Sequence, residues 1–503
     1  FKNNHSDSSG GAIYTAGPLT IRGTRFVGND CIYSGGAIYH HYTNPDYDRR
    51  YMELTDCVFD GNKASLGGAV ILSASATVES TGLGTYAVIT DCQFKNNQAI
   101  PSESNPGNGG ALYITRSSEA VVKGCTFSKN TAAQNAGAVA IHSKAKVTLT
   151  DNSFTGNTAV FGGALYASSE AKVTLTDIKF TDNSAKMTTE GAGGNGGALY
   201  IYGANVTLKN ITLRSNAAEN HAGALYLGAC DLTLDSSIEF TGNSAGNHGG
   251  AVYVTYKTNE DGTKRGSVLD VNGVTFKNNT ALAGGAISAR TASVLNLTDV
   301  KFLNNATPKA EVSTTNGGGA IYANNGTLNL TRVTMDGNSS GYYGGTIRAD
   351  ACDTVIKESS ILNSSGGTGG AFYASSGTLQ ADQLTLTGNK ATLNGVIYLT
   401  CKEATLSNVT AFGNNAVYGG VLYASTNSSV TVKNANLNGN SANSGGAVYV
   451  AGNATVSICD SVLNNNNASA YGGAIYVVAS KLNVSGNTEF TGNKSTYHGG
   501  AIC

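Results

Sequence analysis

The sequence predicts an all-β chain: a right-handed, single-stranded parallel β-helix of about 18 coils, with three short strands per coil. Three observations predict it. A Gly-Gly-Ala-Ile-Tyr unit recurs through all 503 residues, its second glycine falling at positions such as Gly11, Gly36, Gly137, Gly163, Gly420 and Gly446, mostly 25 to 27 residues apart. A Phe-x-x-Asn unit stands before each of these glycines. Between the two runs a stretch of alternating apolar and polar residues, as in Lys146-Val147-Thr148-Leu149-Thr150-Asp151. Period-two alternation broken by Gly, Asn and Asp marks strands and turns, and no window sustains a helical period.

Each element has a structural reason. Paired glycines suit a tight turn that needs positive φ or close backbone approach. Phe26, Phe59, Phe127 and Phe154 are expected to stack in the core, with Asn29, Asn62, Asn130 and Asn157 bonding from coil to coil. Leu or Met replaces Phe at Leu213, Met335 and Leu437, and the asparagine row lapses at Ser365, after Leu362. Apolar residues flank each tyrosine of the glycine unit, so the tyrosine faces outward. Coils about 4.8 Å apart would build a rod of roughly 85 Å, and parallel crossovers are right-handed by strong preference.

Composition agrees. The chain has 65 Gly, 5 Pro, no Trp and 13% charged residues, while 40% hydrophobic residues suffice for a core. A net charge of −1 gives no reason to expect nucleic acid as a partner, and no apolar run is long enough to insert this segment into a membrane. Residues 1–503 read as one repeat domain that opens and closes inside a repeat without visible caps, so a fragment of a longer chain, or a unit that stacks end to end, is expected.

Gly10-Gly11-Ala12-Ile13 together with Phe26-Val27-Gly28-Asn29 resembles the polymorphic outer membrane protein repeat of chlamydiae. The resemblance covers the repeats over essentially the whole chain. It implies the β-helical passenger of an autotransporter, at the cell surface or outside the cell, implicated in adhesion.

Candidate sites follow. Cys57, Cys92 and Cys125 each lie two residues before Phe and should stack within disulfide range in successive coils. Their parallel Cβ vectors fit a bridge poorly, so buried free thiols are expected, with one bridge as the alternative. His221 and His248 precede their glycines by two residues; two stacked imidazoles could hold a metal, but no further ligand completes a shell, so solvent-facing turn residues are expected. Asp56, Asp91, Asp151, Asp177 and Asp299 recur before Phe and read as turn residues rather than as a catalytic cluster or a calcium site.

The outward tyrosines, among them Tyr166, Tyr200, Tyr226, Tyr253, Tyr398, Tyr423, Tyr449 and Tyr476, offer aromatic surface for sugars or for a second rod, or else reinforce the strands. Gaps at Ile71, Ala140, Ser288 and Arg348 do not delimit a site. The insertion from His40 to Met52, with His40, His41, Tyr42 and Tyr47, is the first place to look for recognition. No enzyme activity and no cofactor are expected. The leading reading is an extracellular structural or adhesive rod whose partner is a host-cell or extracellular surface, protein or glycan, or a like rod. A polymerising fibre subunit and a carbohydrate-active enzyme are the rivals.

Overall fold

The computed structural model describes residues 1–43, 51–308 and 316–503, so Tyr47 lies outside the described residues. The chain forms two compact units, Phe1–Gly246 and Asn247–Cys503. Each is a stack of short strands paired in parallel and in register with their counterparts one coil on.

In the first unit the glycine-tyrosine strands Ile38–Tyr42, Val70–Ala74, Leu112–Ile114 and Val139–Ile141 pair in that order. The alternating stretches form a second row, Tyr51–Thr55, Tyr86–Thr90, Glu119–Lys123 and Lys146–Thr150. Phenylalanine strands form a third, Val58–Asp60, Gln93–Lys95, Thr126–Ser128 and Ser153–Thr155. Beside these predicted strands each coil adds a two-residue strand just past the asparagine, as at Lys63–Ala64, Gln98–Ala99 and Thr131–Ala132.

The second unit repeats the scheme. Ile287–Ala289, Ile321–Asn324, Ile347–Asp350 and Phe372–Ser375 make its glycine-tyrosine row. Val294–Thr298, Thr327–Thr331 and Asp353–Lys357 make its alternating row. Insertions carry one helical turn, Ala76–Glu79, and an antiparallel pair of Val252–Thr258 with Lys264–Gly266, and the register shifts between Ala442 and Ser444.

The two glycines of the unit serve different ends. Gly35 has φ +70°, a left-handed turn open to glycine at little strain. Gly36 is not left-handed, but a Cβ there would lie 2.2 Å from the carbonyl oxygen of Gly68. The first position tolerates alanine at a strain, as Ala136 (φ 56°) and Ala222 (φ 61°) show. The core between the rows is a column of phenylalanines. Phe26, Phe59, Phe94, Phe127 and Phe154 are wholly buried, with successive ring centroids 4.7 to 4.9 Å apart and planes within 4°. Burying each ring contributes about 1.5–3 kcal/mol, and the stacking adds to it.

Candidate binding surface

The asparagine row is an internal device. The backbone N–H and the Nδ2 of Asn29 both donate to Oδ1 of Asn62, at 3.0 and 2.9 Å. Asn62 does the same to Asn97, Asn97 to Asn130, and Asn130 to Asn157. The second Nδ2 hydrogen goes back to the phenylalanine carbonyl of the preceding coil, as from Asn62 to Phe26 at 3.1 Å. These asparagines are 0% exposed, so no ligand meets them. The lapse falls at Ser364 and not at Ser365: Ile361 pairs with Met335 and takes the phenylalanine place, which sets Ser364 in the asparagine place. Its N–H donates to Oδ1 of Asn389 at 3.0 Å.

Cys57, Cys92 and Cys125 are buried and free. Their sulfurs accept backbone N–H groups as an asparagine oxygen would: Cys57 N–H donates to Cys92 Sγ and Cys92 N–H to Cys125 Sγ, both at 3.4 Å. Cys125 N–H passes to Oδ1 of Asn152 at 2.8 Å. Contact with the next thiol and burial push the Cys57 thiol up, and the hydrogen bond with Cys125 is the largest cause that takes Cys92 to about 12. Such thiols stay protonated and unreactive.

The tyrosines form stacked runs outside the core within each unit. Tyr166, Tyr200 and Tyr226 stack at 5.1 and 4.3 Å, and Tyr373, Tyr398, Tyr423, Tyr449 and Tyr476 at 4.8 to 5.4 Å. Within these stretches each ring face meets another tyrosine, so the rungs present edges and hydroxyls rather than faces. Burial raises Tyr398 and Tyr449 to about 12. Tyr253 and Tyr322 depart from the outward expectation, at 8% and 5% exposed.

Three of the four gaps in the ladder are refilled by the chain. His142 takes the place beside Ala140, between Tyr113 at 5.4 Å and Tyr166 at 4.9 Å. His248 stacks on Tyr322 at 5.8 Å and lies 6.1 Å from Tyr253, next to Ser288, instead of facing solvent. Arg348 fills its own gap, its guanidinium 5.2 Å from the ring of Tyr322 and 5.7 Å from that of Tyr373. The fourth gap, at Ile71, opens into a cavity of about 470 Å³ walled by Tyr39 and Tyr113.

His40 and Tyr42 correct the reading of the His40–Met52 insertion. Strand Ile38–Tyr42 continues its alternation through them, so both side chains turn inward, at 0% and 3% exposed. Burial lowers the His40 imidazole to about 4, and its Nε2 lies 3.1 Å from the Gly17 carbonyl. His41 stays half-buried, its Nδ1 2.8 Å from the hydroxyl of Tyr39. The recurring aspartates sit in left-handed turns, with φ 51° at Asp56, 53° at Asp91, 55° at Asp151, 57° at Asp177 and 55° at Asp299. Asp299 holds Arg332 through two bonds of 2.7 and 2.9 Å, and Asp177 accepts from Asn210 at 2.5 Å. Among the described residues no group of three or more His, Cys, Asp or Glu gathers for a metal.

One outward column carries mixed chemistry that sequence reading passed over. Tyr51, Tyr86, Glu119, Lys146, Lys172 and Asn205 lie in register on successive coils of the first unit. The Tyr51 and Tyr86 rings stack at 6.0 Å, and Lys146 pairs with Glu119 at 3.1 Å. A cavity of about 730 Å³ borders the column at Lys146, Lys172 and Asn205, and Lys144, Glu170 and Asp231 also line it. Register identifies such a column, which no motif in the sequence marks.

Parallel coils, an in-register core and one short strand of each kind per coil define a β-helix, and a right-handed β-helix region matches residues 80–261. The chain is thus a right-handed parallel β-helical solenoid. The Chlamydia polymorphic membrane protein repeat matches residues 1–16, 273–290, 299–324, 460–478 and 487–503. Together the matches support a polymorphic outer membrane protein β-helix family for this chain. Repeats of this type suggest a surface-exposed protein of the outer membrane or cell surface. No curated protein and no solved structure matches the chain significantly. Among the described residues no helix is long and apolar enough to cross a membrane.

Proposed function

We propose that the chain is an adhesive scaffold of the cell surface, which presents outward columns of side chains to a host-cell or extracellular surface, and that it is not an enzyme. One observation carries this reading. The repeated residues are committed inward, in the phenylalanine and asparagine ladders, while the in-register column from Tyr51 to Asn205 runs through tyrosine, glutamate, lysine and asparagine beside a cavity of about 730 Å³. A rigid grid with a varied outer face suits recognition of an extended surface.

The test is attachment. Beads carrying the chain should bind cultured-cell monolayers well above beads carrying an unrelated β-protein. Replacing Tyr86, Lys146 and Lys172 together by serine should reduce attachment while leaving amide exchange of the core unchanged. Attachment no better than the control beads would sink the proposal.

A further inference from the structure

The tyrosine ladder contains a rung that the chain leaves empty. Ile71 pairs with Tyr39 on one side and with Tyr113 on the other, where neighbouring coils place a ring. Elsewhere the residue two positions on makes good such a loss: His142 does so for Ala140, and Arg290, its guanidinium 5.8 Å from the Tyr322 ring, assists at Ser288. Two positions after Ile71 stands Ser73, which meets the Tyr39 hydroxyl but supplies no ring or guanidinium to fill the gap. The ladder is therefore interrupted by the cavity of about 470 Å³, with Ile71 and Leu66 at its apolar end. Two coil steps, about 9.6 Å, separate the tyrosines that bound it. The same interval between Tyr113 and Tyr166 houses the imidazole of His142.

We propose that this missing rung binds one pyranose ring of a surface glycan, a proposal that rests on the adhesive reading above. The volume lies within the range of small-ligand sites. Tyr39 and Tyr113 supply aromatic wall for the apolar face of a sugar. The rim is made of hydroxyls and an amide, from Ser73, Thr115, Ser143 and Asn105. At the same rim the Glu79 carboxylate and the Arg116 guanidinium pair at 3.1 Å, so an acceptor and a fork of donors stand together for neighbouring sugar hydroxyls. The helical turn Ala76–Glu79, part of an insertion, brings Glu79 there. Arg116 also sets this gap apart from those filled by His142 and Arg348, because its charge opposes a second cation.

The test uses the whole chain and methyl glycosides of glucose, galactose, mannose and N-acetylglucosamine at millimolar concentration, read by saturation-transfer NMR. At least one glycoside should bind. Ile71→Tyr, which restores the rung, should weaken it at least about ten-fold without lowering the melting temperature, and Arg116→Met should weaken it in a fold that still melts normally. The slot is overturned if no glycoside binds the unaltered chain, if I71Y binds as well as the unaltered chain, or if imidazole binds there and the glycosides do not. Failure of the two readings is separable. Glycoside binding that survives I71Y overturns the slot and leaves adhesion standing. Glycoside binding lost in I71Y by a chain whose beads never attach supports the slot and removes adhesion.

Discussion

His142 stacks on Tyr166 with ring centroids 4.9 Å apart and planes at 23°, so an imidazole completes a ladder of phenols. Burial lowers its pKa from 6.5 to about 4, and does the same for His40. The unfolded chain takes up these protons near pH 6.5, and the folded chain does so only near 4. Stability held by the neutral rings is therefore fully present above about 6.5 and falls as pH drops toward 4. Hydrogen exchange in the first unit should report a loss on the order of 3 kcal/mol for each histidine across that window. His142→Phe, which keeps a ring in the gap and does not titrate, should remove its share. Protection unchanged down to pH 4 would contradict the assignment.

Asn130 should be among the costliest polar residues to truncate. In Asn130→Ala, the backbone N–H and Nδ2 of Asn97 lose their acceptor, and Oδ1 of Asn157 loses a donor. Each buried group left unpaired costs about 1–3 kcal/mol, so a loss of at least about 3 kcal/mol is expected. The Asn97 amide should exchange much faster, while amides several coils away change little. Equal acceleration throughout the unit would instead indicate global unfolding.

Ala136→Gly should stabilise the chain. Ala136 occupies the turn position that glycine holds in most coils, at φ 56°, where a Cβ costs about 1 kcal/mol. A gain of about that size in local opening free energy is the expected result, and a loss would show that the methyl group's packing outweighs the strain.

The stacked thiols predict a chemical asymmetry. Cys503 is exposed, whereas Cys57, Cys92 and Cys125 are buried, and Cys57 and Cys92 are held protonated. Iodoacetamide should label Cys503 in the native chain and reach the stack only after unfolding. Because the folded pKa of Cys92 is raised from 9.0 to about 12, its contribution is intact below about 9 and declines as pH rises toward 12. Cys92→Ser keeps an acceptor for Cys57 N–H and should be milder than Cys92→Ala. Equal cost in the two variants would show that the sulfur matters only as volume.

The fold was legible because its determinants recur. Phe59 and Asn62 announce themselves through their copies at Phe127 and Asn130, and register follows from spacing. What stayed hidden depends on substitutions that act from a different position. Nothing local to Ala140 indicates that His142 fills its gap, and nothing in the serine-rich stretch around Ser364 shows which residue takes the asparagine's place. His40 and Tyr42 read as part of an inserted loop, yet strand alternation carries through them and buries them. The empty rung at Ile71 became visible only when the neighbouring tyrosines and the insertion bearing Glu79 were set around it.

The asparagine ladder also fixes how such a chain can change in length. Oδ1 of Asn157 receives from Asn130, and Asn157 in turn donates to Asn183, 26 residues on. Excising residues 157–182 would join Gly156 to Asn183, bringing Asn130 against Asn183 and leaving Phe127 against Phe154, so that every partner is kept or replaced by its equivalent. Excising half as many, residues 157–169, would set Glu170 where an amide is required. Gene duplication or unequal crossing-over can thus extend or shorten the molecule in steps of one coil, about 4.8 Å, and each intermediate length is already a foldable protein.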